Sequence, residues 1–384
     1  LSSNPGGTRE QSDLDRDSLD DLIAALLRGD RVEARALAAA GPGLILPRVE
    51  YHCVAPLAAE RARALGDAPS DLLAALDAAA EREQALDAFR DGELRRLVQT
   101  LDERGIRALL IKGAQLAYTH YERSDLRSRS DTDVLVAPQD RDRVVAALLS
   151  LGYVSPGHVD GALVTYQAAF IHESPEGPYH VVDVHWRVAN PQVFADLLTY
   201  DELSASAVPV PALGRGAWGL SNPHALLLAC VHRVAHHHAS DLMHWLYDIH
   251  LIAGRMTPAE WSEFVELAEQ RGVSRICWRS LGHAAGDFHT VLPASVTGDP
   301  HVTRPDVEAR TSAYLEGSRR HVQEVADDLR ALPTWRDRFR LIAQHAFPSP
   351  AYMRTHYAPT SSAPLPVLYA RRVIRGARKW FTRP

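Results

Sequence analysis

Three cysteines among 384 residues, Cys53, Cys230 and Cys277, are too few, too scattered and odd in number to build a disulfide framework. Their spacing does not suit a metal site either, and such usage fits a reducing interior. No stretch approaches the roughly 18 uninterrupted apolar residues that a membrane helix needs, so no transmembrane segment is expected. The opening LSSNPGGTREQSDLDRD lacks the basic start and apolar centre of a signal peptide. It reads as a disordered lead-in over 1–17, and a cytoplasmic location is the default expectation. A formal charge of −6 gives no global basic field to attract nucleic acid. With 46% hydrophobic and 23% charged residues, the chain has ordinary globular composition and enough length for two or three domains.

What is present falls into helices, then mixed strand and helix, then helices. Residues 18–100 are helical: SLDDLIAALLRGD opens with Ser18 as an expected N-cap, and 69–105 is rich in Ala, Leu, Glu and Arg up to Gly105. A core follows over 101–205. IRALLIKG (106–113) is predicted as a strand closing on Gly113, AQLAYTHYE as a short helix, and DTDVLVA as a second strand. PQDRDRVVAALLSLGY reads as an amphipathic helix with Pro138 in its first turn. Residues up to 180 read as a mobile connection, and HVVDVHWRV (180–188) as another strand. Helices return over 206–345, with Thr257 capping and Pro258 beginning one of them. A basic tail occupies 346–384. The expected class is therefore α+β, a small mixed sheet flanked by N-terminal and C-terminal helical regions.

The chemistry concentrates in RSRSDTDVLV (127–136). On a strand, residues i and i+2 share a face, so Asp131 and Asp133 point together while Thr132 and Val134 face the other way. Two carboxylates this close raise each other's pKa and call for a positive partner, which Arg127, Arg129 or a metal can supply. In VVDVHW (181–186), Asp183 shares a face with Val181, His185 and Arg187, opposite Val182, Val184 and Trp186. If the two strands are neighbours, three carboxylates converge, a pattern suited to hard cations such as Mg²⁺.

A glycine-ended strand, a short helix, a D-x-D and a later lone acid on a strand resemble nucleotidyltransferases of the DNA polymerase beta superfamily. More narrowly, LLIKGAQLAYTHYERSDLRSRSDTDVLV, VVDVHW and FPSPAYMRTHY resemble an uncharacterised bacterial nucleotidyltransferase family, over about 50–375. The resemblance implies that Asp131, Asp133 and Asp183 are catalytic and hold two Mg²⁺ ions, Asp183 serving the ion that activates the acceptor. It implies a nucleoside triphosphate substrate, ATP first among them, whose NMP group passes to an acceptor with release of pyrophosphate. The acceptor is left open among a small molecule or natural-product intermediate, a peptide, a protein and RNA. A phosphotransferase using the same site and a non-catalytic nucleotide-binding or scaffold protein are the alternatives. The superfamily's Gly-Ser turn is replaced here by Lys112-Gly113-Ala114, so Lys112, Gly113, Arg127, Arg129 and Ser130 are the expected phosphate contacts.

Other residues carry rival readings. His185 either acts as a base or orients Asp183 or a loop. His232 and His236 lie four apart, with Asp248 beyond; they either hold zinc or line the cleft, but the glutamate of H-E-x-x-H is missing. His237, His238 and His244 are expected to face solvent and Trp245 to join the core. In the tail, Val373, Ile374, Trp380 and Phe381 lie among six basic residues. That segment either touches an anionic surface or docks its aromatics on the domain.

Overall fold

The computed structural model describes residues 16–32, 34–155, 163–175, 177–235, 242–316, 321–348, 350–357 and 363–381. Four helices open the fold: α1 (Arg16–Arg28), α2 (Ala34–Tyr51), α3 (Ala55–Leu65) and α4 (Ser70–Glu103). Ser18 lies inside α1 and is not its N-cap, because the helix already includes Arg16. Alternation of strong helix formers carries α4 through 34 residues without a break. It stops at Gly105, whose φ of 61° lets its N–H and that of Ile106 turn back onto the carbonyls of Asp102 and Leu101.

The core then runs β1 (Leu109–Leu110), α5 (Gly113–Thr119), β2 (Thr132–Leu135), α6 (Arg141–Ser150), β3 (Gln167–Glu173), β4 (Tyr179–His185), α7 (Tyr200–Ala205), β5 (Val208–Pro209) and β6 (Trp218–Gly219). The strands form one mixed sheet in the order β3-β4-β2-β1-β6-β5. The strand expected over 106–113 shrinks to two paired residues, since the chain turns away at Lys112. The expected mobile connection contains β3, a full antiparallel partner of β4, while 156–162 lie outside the described residues. β5 and β6 are two-residue strands that precede the first helix of the 206–345 region.

Helices α8 (Asn222–Ala235), α9 (Met243–Ala253), α10 (Pro258–Arg271), α11 (Ser274–Phe288) and α12 (Pro305–Ser312) follow, then α13 (His321–Ala331), α14 (Trp335–Ala346), α15 (Pro350–Tyr357) and α16 (Leu365–Phe381). Thr257 caps α10 as expected, in a reciprocal box with Glu260.

The fold is α+β, and strand alternation sorts its interior. Leu110, Val134, Val136, Val182 and Val184 face one apolar cluster, with the end of α4 and with α6. Leu109, Ile111 and Leu135 face a larger cluster that also holds α1–α3, α8, α9 and α11. Asp133 lies on this second face, so the sheet directs its acids toward the space between the two helical regions.

Candidate active site

β2 and β4 run parallel, with Asp133 directly opposite Asp183. As alternation requires, Thr132 points the other way and bonds His180 at 2.8 Å. Lys112 Nζ reaches Asp133 Oδ1 at 2.7 Å, and His185 Nε2 donates to the same oxygen at 2.7 Å. Burial alone would push the Asp133 carboxyl up, but the Lys112 ammonium and the His185 hydrogen bond hold it well below the usual carboxylate range. His185 itself is lowered by burial and by Lys112, which favours the neutral ring. It therefore orients Asp133, where Asp183 had been the expected partner.

Among the described residues, Asp183 has weaker compensation, from the Lys112 charge at a distance. Its Oδ2 accepts one neutral hydrogen bond, from Gln167 Nε2 at 3.1 Å. Burial, then Asp133 and Asp131, raise its pKa to about 6. Asp131, just before β2, is raised by burial and by Asp133, and the Ser130 hydroxyl donates to it at 3.3 Å. Among the described residues, ligand atoms of Asp133, Asp183 and His185 lie within 4.8 Å of one another. Because His185 already donates to Asp133, the free donors in this group are carboxylate oxygens, the chemistry a divalent cation such as Mg²⁺ prefers. A pair of carboxylates with one only weakly compensated fits such a cation. Asp131 stands beside the group.

The arginines go elsewhere. Arg127 grips Asp248 of α9 through Nε at 2.9 Å and Nη2 at 2.7 Å, and the Tyr121 hydroxyl donates to the same carboxylate at 2.8 Å. Its guanidinium lies over Gly113, where an added Cβ would meet it at 3.5 Å. Gly113 therefore sits beneath an arginine with ordinary clearance. Arg129 turns to α4, where it binds Asp87, and covers the ring of Tyr118 on α5 at 5.0 Å. Neither arginine pairs directly with Asp131 or Asp133; Lys112 holds Asp133, and Asp131 feels the charge of Lys112 first and of Arg127 more weakly. Lys112 adopts φ 54°, ψ −137°, a backbone conformation that costs a non-glycine residue on the order of 1–3 kcal/mol. The strain aims the side chain of a strand-end residue back across the acids.

These groups floor a cavity of about 800 Å³. The α2–α4 side contributes Glu50, Cys53, Arg82, Glu83 and Arg90, and the α8–α9 side Leu228, Ala229, His232, Leu242 and Trp245. Trp245 thus faces the cavity, with its ring edge-on to His232 at 6.1 Å, and does not join the core. His244 is buried, its Nδ1 bonding the backbone oxygen of His52 at 3.0 Å, where solvent had been expected. Asp248 is committed to Arg127 and Tyr121, and His236, His237 and His238 lie outside the described residues. The basic tail forms α16, with Val373 and Ile374 exposed; the side chains of Trp380 and Phe381 lie outside the described residues. Among the described residues, no helix is long and apolar enough to cross a membrane.

A mixed sheet that presents opposed aspartates to a cavity between helical regions suits a divalent cation with a phosphate ligand. Residues 39–288, about two thirds of the sequence, match the family model described as "Uncharacterised nucleotidyltransferase", and the chain belongs to that family. The match covers every cavity wall named above and ends at Phe288, short of the 375 that the sequence resemblance suggested. A search of curated proteins found no match.

Proposed function

We propose that this chain, a nucleotidyltransferase of the DNA polymerase beta superfamily, transfers an NMP group from an NTP, ATP first among the candidates, to an acceptor hydroxyl or phosphate. The acceptor oxygen bonds to the α-phosphorus, the bond from that phosphorus to the bridging oxygen of the β-phosphate breaks, and pyrophosphate leaves. The observation that carries this reading is the Asp133–Asp183 pairing across parallel strands at the floor of the cavity. Asp133 and Asp183, with Asp131 beside them, would hold Mg²⁺. When bound, the cation neutralises phosphate charge and lowers the pKa of an attacking hydroxyl. Lys112 and His185 fix one oxygen of Asp133, which leaves Oδ2 as the one to meet a ligand. Gln167 fixes Asp183 in turn and is itself steadied by Asn190 at 3.1 Å. The apolar and aromatic wall of Leu228, Ala229 and Trp245 offers a planar base a dry surface.

A non-catalytic reading has one observation in its favour: Lys112 already holds a positive charge against Asp133. The test separates the readings. ATP labelled at the α- or the γ-phosphate is incubated with the protein, Mg²⁺ and a cell extract as the source of acceptors. Transfer of the α-label with pyrophosphate release, lost in Asp133→Asn, is expected. Transfer of the γ-label would make the enzyme a phosphotransferase, and Mg²⁺-dependent binding with neither label transferred would leave a binding protein.

A further inference from the structure

Most cations that face the cavity are committed. Arg82 is exposed and paired with Glu50 at 3.0 Å, Lys112 holds Asp133, Arg127 holds Asp248 and Arg129 holds Asp87. Arg90 is different. It lies on α4, is 7% exposed, and lines the cavity one turn after Asp87. Its Nη1 donates to the backbone oxygen of Arg129, but its Nε is buried without a hydrogen-bond partner. Among the described residues it makes no ion pair. The nearby Asp87 carboxylate feels its charge but is already bonded to Arg129, so two buried guanidiniums share one counter-charge, and one carbonyl uses one of the five Arg90 donors without neutralising it.

Anchoring the loop accounts for the carbonyl bond but not for the charge, since a neutral donor would anchor as well. The anchored carbonyl belongs to Arg129, two residues and no more than about 7 Å of extended chain from Asp131. Arg90 therefore stands beside the acids, on the side of the α4 lobe, with its charge only partly offset by the shared Asp87. We propose that Arg90 is the anion-receiving residue of this cavity and takes the polyphosphate end of the nucleoside triphosphate. This rests on the nucleotidyltransferase reading above. A planar guanidinium matches two phosphate oxygens at once, which an ammonium cannot do. In this arrangement the base meets the α8–α9 wall, the α-phosphate lies over the acids, and the β- and γ-phosphates turn toward α4. The acceptor's own phosphate or carboxylate is the other source of an oxyanion, and the titrations below separate the two.

The experiment is calorimetric titration of wild type, Arg90→Gln and Arg90→Lys with Mg–ATP, AMP and inorganic tripolyphosphate, with melting curves as a check on folding. Arg90→Gln should lose about tenfold or more in affinity for ATP and tripolyphosphate while AMP affinity stays within about twofold, and Arg90→Lys should fall between. Equal losses for ATP and AMP would reduce Arg90 to a loop anchor and overturn the proposal. Unchanged ATP affinity in Arg90→Gln would also overturn it, including when turnover falls, because the anion would then belong to the acceptor. If Arg90→Gln does not fold, the same selective loss in Arg90→Lys decides. Loss of Mg–ATP binding in Asp133→Asn beside full binding in Arg90→Gln would leave the nucleotidyltransferase reading standing and remove only this assignment. Wild type that binds neither ATP nor tripolyphosphate would remove both.

Discussion

The arginine clamps and part of the acidic floor come from one short stretch, 127–133, yet they treat charge in opposite ways. Arg127 and Arg129, two residues apart, reach to opposite lobes and find buried carboxylates, Asp248 on α9 and Asp87 on α4. On the floor, Asp133 is matched by Lys112 and His185, whereas Asp183 and Asp131 stay raised by burial and by their neighbours. Matched buried charge holds lobes in place. Unmatched buried charge is retained where a ligand completes it.

The sharpest way to break this contrast is Asp133→Asn. Turnover should fall by a hundredfold or more, on the order of what a lost electrostatic contact to a transition state costs. Pyrophosphate release beside a melting curve measures it, and near-normal activity would end the assignment of the floor. Because Lys112 and His185 already stabilise this carboxylate, the melting temperature should drop rather than rise.

On the clamp side, Arg127→Ala or Asp248→Ala should each cost about 3–5 kcal/mol, since either leaves a buried charge alone. Replacing both by apolar residues should recover much of that. Urea unfolding reads the values, and single-variant losses below about 1 kcal/mol would show the clamp to be a surface-like pair.

Asp183→Asn should do the reverse for stability. The folded carboxyl titrates near 6, above its unfolded value, so it gives stability at low pH that is lost as pH rises through about 6. Removing the charge should therefore raise metal-free stability by about 1–2 kcal/mol at pH 7 and by almost nothing at pH 4. Thermal scans in chelator at both pH values test it, and equal effects at the two would place Asp183 outside the strained group. The same variant should keep Mg–NTP affinity but lose about a hundredfold in kcat.

The smallest effect concerns the cation itself. Millimolar Mg²⁺ should raise the wild-type melting temperature by about a few degrees through mass action, and that of Asp183→Asn by less. Differential scanning with and without chelator is enough, and an equal rise in both would detach metal binding from Asp183.

The floor was legible in the sequence because strand alternation is a local rule: D-x-D and the VVDVHW register state which side chains share a face. β3 was missed although Ala168 and Phe170 do alternate inward, because the signal is short and follows a segment without periodicity. β1, β5 and β6 are two residues each, below what any period can report. Arg127 and Arg129 line the cavity, but their partners lie 121 and 42 residues away, and no local pattern encodes that choice. Arg90 gave no signal at all, since one arginine in a helix of charged residues is indistinguishable from a solvated one.

The parallel β2–β4 register has a consequence for how the chain matures. Asp133 and Asp183 come together only when strands 50 residues apart pair, and β1 must also capture β6 from beyond residue 200. Parallel pairing at such separation closes a long loop before any contact rewards it, so it forms late and slowly. Helices α2–α4 pack on one another and can form while the sheet is still open, whereas α1 also docks on α11. A growing chain would thus carry a finished helical lobe and no floor, and the mutually repelling acids would meet only in a nearly completed protein. Refolding followed by helix content and by Mg²⁺-dependent nucleotide binding should therefore show two separate rates.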